Sequence, residues 1–284
     1  METKGQAAGV AVELQQASTC PTCGATIAGK FCPVCGEKKF DRDHFSLKNF
    51  SHEALHELAH FDSKIFRTVR YLFTKPGFIA QEYLAGKRSR YVNPLRAYLF
   101  CFALVLFLYS VYRPVFDVGE AAKVDKTGIV QKMLIKQAHK HNVPEERLVE
   151  HFNEHWHFYM ELARILDAFI VSGILAVLYR RRKWYFAEHA VVALYFLSFT
   201  SLLNVALWPV HVATGGLASR AKNVVFLLLT VPYMWMMLRR VYQDRAGTTT
   251  LKTLLLFVAT QISAVLTTAM SLALAAFHTL VTIK

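Results

Sequence analysis

Four cysteines near the N-terminus carry the chemistry that residue types and spacing can name: Cys20-Pro21-Thr22-Cys23-Gly24 and Cys32-Pro33-Val34-Cys35-Gly36. Two thiolates separated by two residues can grip one ion. The Gly that follows supplies the backbone angles of a tight knuckle, and Pro stiffens its approach. Two such knuckles offer four sulfurs, the closed shell that zinc adopts in structural sites. The eight-residue spacer, Gly24 to Phe31, has room for a small hairpin turning at Ala28-Gly29-Lys30. The expected cofactor is a structural Zn2+ in a ribbon over residues 20–39, with an iron site or a redox dithiol pair as competing chemistries. A disulfide framework would need an oxidising compartment, and the first twenty residues lack the basic start and apolar core of a signal peptide. Cys101 falls in an apolar run and reads as a packing residue.

A second constellation imitates a zinc hydrolase. His52–His60 reads His-Glu-Ala-Leu-His-Glu-Leu-Ala-His, so His-Glu-x-x-His occurs at His52/Glu53/His56 and again at His56/Glu57/His60. On a helix, two histidines four apart share a face and can hold zinc, with the adjacent Glu as general base. Asp62 lies ten residues after His52, where some metalloproteases place a third ligand. Ala59, however, stands where the extended motif needs a Gly to turn the chain. A non-catalytic helix face is the expectation, and a membrane zinc hydrolase the alternative. His139, His141, His151, His155 and His157 form another group, expected to be a solvated helix face, with weak metal or proton sensing as its alternative.

The elements that must position these residues are those of a membrane protein. Hydrophobic residues make up 54% of the 284-residue chain and aromatics 13%, and they cluster in runs of the length a bilayer-crossing helix needs, about 20 residues. Five runs are read as spans: Pro94–Tyr112, Leu162–Tyr179, His189–Val212, Val224–Leu238 and Thr253–Val281. The basic residues Lys87, Arg88, Arg90 and Arg96, then Arg180-Arg181-Arg182-Lys183, then Arg239, Arg240, Arg245 and Lys252 all fall on one side. By the positive-inside rule the N-terminus is cytoplasmic and the C-terminus extracytoplasmic. The expected fold class is an all-α membrane protein of about five transmembrane helices with a small cytoplasmic zinc ribbon. Its parts would be a disordered terminus (1–19), the ribbon (20–39), a juxtamembrane amphipathic segment (40–93), a span (94–112), an extracytoplasmic helical loop (113–161) and four further spans (162–281).

In the juxtamembrane segment Phe61, Ile65, Val69 and Leu72 recur at helical spacing, with Lys64, Arg67 and Arg70 on the other face. Such a helix is expected to lie in the membrane interface and anchor to anionic lipid. Lys87, Arg88, Arg90 and Arg96 are candidates for a lipid-headgroup or phosphate pocket. The net charge of +13 is largely this topological bias, so nucleic acid is not expected as a partner. Within the spans, Asp167 is a functional candidate because a carboxylate in hydrocarbon is disfavoured unless it faces the bundle or water; pairing with Arg164 or a loop lysine is its plain explanation.

The knuckles are followed by His60-x-Asp62-Ser63, Phe66-Arg67-Thr68, Pro76-Gly77, Glu82-Tyr83-x2-Gly86-Lys87-Arg88-x-Arg90-Tyr91-Val92 and Pro94-x-Arg96-x-Tyr98-Leu99. Over roughly residues 20–110 this resembles a bacterial family of zinc-ribbon membrane proteins, domain-of-unknown-function family 3667. The resemblance implies a bacterial inner-membrane protein and names no reaction. The function expected is a non-enzymatic scaffold or interaction protein whose ribbon docks a cytoplasmic protein partner. Transport or lipid handling through the basic block and Asp167 is the alternative, and the zinc hydrolase a further one.

Overall fold

The computed structural model describes residues 18–39, 64–112, 118–125, 127–213 and 219–282. The ribbon opens with β1 (Ser18–Thr19) and β2 (Thr26–Ile27), antiparallel, Ser18 opposite Ile27 and Thr19 opposite Thr26. Phe31 bridges Lys38 in the same sense across the second knuckle. Pairing therefore spans each knuckle and not the Ala28-Gly29-Lys30 link, and it takes in Ser18 and Thr19, expected to belong to a disordered terminus. The cause is local: Cys20 donates its N–H to the Ala25 carbonyl at 2.8 Å, and Cys32 to that of Glu37 at 2.7 Å, laying the two arms of each knuckle side by side.

Nine helices follow among the described residues: α1 (Lys64–Thr74), α2 (Phe78–Leu84), α3 (Pro94–Tyr112), α4 (Val118–Val124), α5 (Ile129–His141), α6 (Glu145–Leu178), α7 (Phe186–Ala213), α8 (Ser219–Tyr242) and α9 (Ala246–Thr282). The centre of the bundle is α7, whose Val191, Val192, Tyr195 and Phe199 meet Leu175 of α6, Met234 and Met237 of α8, and Ile79 and Tyr83 of α2. On α1, Ile65, Val69 and Leu72 join this core, while Arg67 and Arg70 are exposed. The apolar face expected to lie on the membrane surface is thus covered by the protein's own helices, and Phe66, 79% exposed, is what projects.

Three described helices are long and apolar enough to cross a membrane: Phe186–Pro209, Ala221–Tyr242 and Ala246–Thr282. Five spans exceed what the structure supports. Pro94–Leu108 is a shorter apolar helix. The second expected span is the far half of α6, a single 34-residue helix in which Glu161, Arg164 and Asp167 interrupt the apolar stretch. No boundary separates it from the expected loop helix, because nothing between Glu145 and Glu161 breaks a helix.

The polarity of α9 is reversed from that of a helix in water. Its buried residues are Thr249, Thr253, Leu256, Thr267, Ser271, Ala275 and Thr279. Leu251, Leu254, Val258, Ile262, Val265, Leu266 and Phe277 point outward. Small residues let helices approach closely, and large apolar ones suit a hydrocarbon surround. Thr249 and Thr253 satisfy their hydroxyls on carbonyls one turn back, and Ser271 Oγ reaches the Tyr159 carbonyl of α6 at 3.2 Å.

Gly77 lets α2 seat on α8. Its φ of +74° is left-handed, and a Cβ there would lie 2.9 Å from both Cα and O of Met237, backbone that cannot step aside. Gly77→Ala is expected to destabilise the fold by about 1–3 kcal/mol through strain and overpacking. Thermal unfolding of the detergent-purified protein checks this, with Gly29→Ala, in open space, as the unaffected control.

Candidate metal centre and its seat

The two knuckles bring Cys20, Cys23, Cys32 and Cys35 together, each offering one Sγ, all within 4.8 Å of one another. Cys20 Sγ lies 3.5 Å from Cys35 Sγ, and Cys23 Sγ lies 3.5 Å from Cys32 Sγ. A disulfide would need about 2.05 Å. A tetrahedral ion with metal–sulfur bonds of about 2.3 Å sets its sulfurs roughly 3.8 Å apart, so the spacing fits a metal shell. Gly24 and Gly36, at φ +78° and +70°, close the two knuckles, and their N–H groups bond the Cys20 and Cys32 carbonyls at 2.9 and 3.0 Å.

The electrostatics fit as well. The Cys35 and Val34 N–H groups aim at the Cys32 sulfur and hold its thiol down at about 7. The Glu37 N–H pulls Cys35 the same way, yet burial and the three neighbouring sulfurs push that thiol up to about 12. Four crowded thiols cannot all ionise on their own; a bound cation removes the repulsion. Among the described residues, no other group of three or more His, Cys, Asp or Glu is arranged to hold a metal ion.

The ribbon is seated on the chain leading into α3, and a buried carboxylate does the seating. Glu37 is 2% exposed. Its Oε2 accepts from Thr22 Oγ1 at 2.6 Å, Ser89 N at 3.0 Å and Ser89 Oγ at 2.9 Å, and its Oε1 from Ser89 N at 3.2 Å. Arg90 Nη2 adds a bond to the Thr22 carbonyl at 3.0 Å. One side chain thus joins both knuckles to one turn of the juxtamembrane chain.

That turn is tied to the bundle in its own right. Val92 N–H donates to Thr68 Oγ1 of α1 at 3.1 Å, and the Val92 carbonyl accepts from Tyr195 of α7 at 2.7 Å. Asn93 caps α3, its Oδ1 taking the Leu95 N–H at 3.0 Å. Residues 62–106, which hold α1, α2, this turn and most of α3, match a family described as protein of unknown function (DUF3667). No curated protein and no solved structure matches the chain. The match begins after the cysteines, a narrower stretch than the resemblance from residue 20 onward.

The basic residues expected as candidates for a headgroup pocket each have a place within the protein. Lys87 pairs with Glu82 at 2.9 Å, Arg88 lies over the Tyr83 ring at 5.1 Å, Arg90 serves the ribbon, and Arg96 is half-buried in the first turn of α3. Asp167 is half-buried beside Arg164 and near Tyr98, whose hydroxyl donates to the Arg164 carbonyl at 2.7 Å. The hydrolase candidates His52, Glu53, His56 and Asp62 lie outside the described residues.

One polar group emerges that spacing did not reveal, and the histidine pair His151 and His155, expected on a solvated face, is half-buried against α9. At the ribbon end of the bundle, Tyr179 and Tyr242 stack at 3.5 Å, His189 Nδ1 meets the Tyr242 hydroxyl at 2.7 Å, and Asp244 binds Arg182 and Lys252 at 2.7 Å each. At the other end, His155 stacks on His278 of α9 at 4.1 Å, with His151 at 5.8 Å. Only the clustering of Arg180–Lys183 beside His189, and of His151 with His155, hints at these in the sequence.

Two outcomes are expected. Glu37→Ala should cost the seat about 2–3 kcal/mol, the worth of a charge-assisted bond set, and so accelerate hydrogen exchange at the Ser89 amide by at least about tenfold while metal content stays unchanged. Burial, with His278 and His151 close by, lowers the His155 pKa below its usual 6.5. Below that pH the unfolded chain takes up a proton that the folded chain resists, so stability falls as pH drops. Thermal unfolding at about pH 7.5 and about pH 5.5 should show this loss, and a smaller one in His155→Gln.

Proposed function

We propose that this chain is a non-enzymatic, multi-pass protein of the bacterial inner membrane, in which a structural zinc ribbon is held at the cytoplasmic surface as a docking module for a protein partner. The observation that carries this reading is the closed set of four sulfurs on a ribbon fastened to the membrane-proximal turn by Glu37. Zinc, when bound, crosslinks the knuckles and holds Thr22 and Glu37 in the register that reaches Ser89. Four protein ligands leave no open position for a substrate. The ribbon's outward tips, Phe31 at 60% and Val34 at 72% exposure, are the apolar surface a partner would cover.

The topology proposed with it has five helices crossing, α3 and the far half of α6 included, with the N-terminus inside and the C-terminus outside. Its support is the basic residues gathered at the ribbon end, Arg180–Lys183 between α6 and α7, Arg239 and Arg240 in the last turn of α8, and Arg245 just before α9. Arg67 and Arg70, exposed on α1 beside the projecting Phe66, would rest on anionic lipid at that surface.

Metal analysis of the purified full-length protein tests the reading. One zinc per chain is expected, lost in Cys32→Ser and retained in His52→Ala/His56→Ala. Two zincs per chain, one of them removed by the histidine substitutions, would replace the docking module with a hydrolase.

A further inference from the structure

At the ribbon end of the bundle a cleft of about 480 Å3 opens beside the C-terminal turn of α8, lined by Trp235, Arg239, Arg240 and Gln243, by Asp244 after them, and by Pro76 from the turn following α1. Arg239 and Arg240 are both exposed. The Arg239 guanidinium rests over the Trp235 ring, 5.1 Å from its centre, which fixes the group by its face and leaves its N–H edge for hydrogen bonding. Arg240 donates one Nη1 bond to the Pro76 carbonyl at 2.9 Å, so one of its five donors anchors it to the cleft wall. The single carboxylate here, Asp244, faces two other cations, taking Arg182 at 2.7 Å and Lys252 at 2.7 Å. Four cations therefore stand against one anion around the cleft.

Depth adds a second constraint. The Trp235 indole N–H donates to Thr250 Oγ1 of α9 at 3.0 Å, bracing the ends of two membrane-crossing helices. Tryptophan is enriched at this level of a bilayer, where hydrocarbon meets headgroup. Further along the same helices the outward surface is apolar, with Met236 43% and Leu251 59% exposed. The end of α8 itself carries partial negative charge from its last carbonyls, so an anion here must be held by the guanidinium pair and not by the helix.

We propose that this cleft is a binding site for a phosphate group, that of an anionic phospholipid: Arg239 and Arg240 take the phosphate oxygens in paired N–H···O bonds, Gln243 reaches the polar headgroup, and Trp235 sets the depth. The site shares no residue with the ribbon. It also differs from the Lys87–Arg90 block, whose bonds are made within the protein.

The test uses the full chain in detergent, titrated with dihexanoyl phosphatidylglycerol, with dihexanoylglycerol, which has the tails and no phosphate, and with inorganic phosphate, binding being read by thermal shift. The phosphatidylglycerol is expected to stabilise the protein and the phosphate-free lipid to leave it unchanged. Arg239→Gln/Arg240→Gln should weaken the phosphatidylglycerol response at least about tenfold. Inorganic phosphate competing at the same concentrations would also support the site and assign it to a soluble phosphate source, while failure to compete assigns it to the membrane lipid. Equal responses to the two lipids, or a response that survives the double substitution, would overturn the proposal. Should the double variant not fold, Gln243→Glu, which adds a carboxylate at an exposed position, must lower the affinity in the same way, and unchanged affinity overturns the site.

Discussion

Gly86 to Asn93 is a stretch without regular structure lying where the chain enters its bundle; Arg88 and Tyr91 bond within it, and its remaining polar groups are met from other elements. Three go to three different elements: Ser89 to Glu37 of the ribbon, the Val92 N–H to Thr68 of α1, and the Val92 carbonyl to Tyr195 of α7. Asn93 spends its side chain on the α3 cap and on the Tyr83 hydroxyl of α2. A buried backbone group without a partner costs about as much as a lost hydrogen bond, so these four attachments reinforce one another. Tyr91, set edge-on to Tyr71 and Phe78, fills the space between them. The family match spans this joint.

Around the joint the bundle is organised by which face can meet hydrocarbon. α7 is enclosed on most sides, whereas α9 presents leucine, valine and phenylalanine outward and packs through threonine, serine and alanine. Burying small residues gives up hydrophobic stabilisation in water, and it becomes sensible only if the outward face is not in water. The same division explains why the cations collect at the helix ends, where Arg182 and Lys252 meet Asp244 and Arg239 lies on Trp235.

The cysteine shell was legible because its ligands are close in sequence and each knuckle folds on its own hydrogen bonds. Helices α7, α8 and α9 were legible because twenty apolar residues have few other destinations. The residues that seat the ribbon were not. Glu37 stands before two lysines and looks like any surface acid, and its partner Ser89 is 52 residues away. Lys87, Arg88 and Arg90 looked like a lipid patch because composition shows charge and not what each charge touches. α1 misled in a similar way: its periodicity correctly marks a helix with one apolar face, but periodicity is blind to whether that face meets a bilayer or Ile79 and Phe199. Asp167 keeps both readings open, with Arg164, one of its two plain partners, close enough to act on its charge.

The position of Glu37, one residue past the glycine that closes the second knuckle, has a thermodynamic consequence. Whatever orders the knuckles also orders the carboxylate that caps Ser89, so metal binding and the packing of α1, α2 and α3 share one coupling free energy. Such coupling is reciprocal. With an ion held by the four sulfurs, whatever tightens the Gly86–Asn93 joint would raise the ribbon's affinity for it, and its loss would loosen the start of the bundle. Glu37 would then be a connecting link of a two-way coupling between the thiol cluster and the helical core.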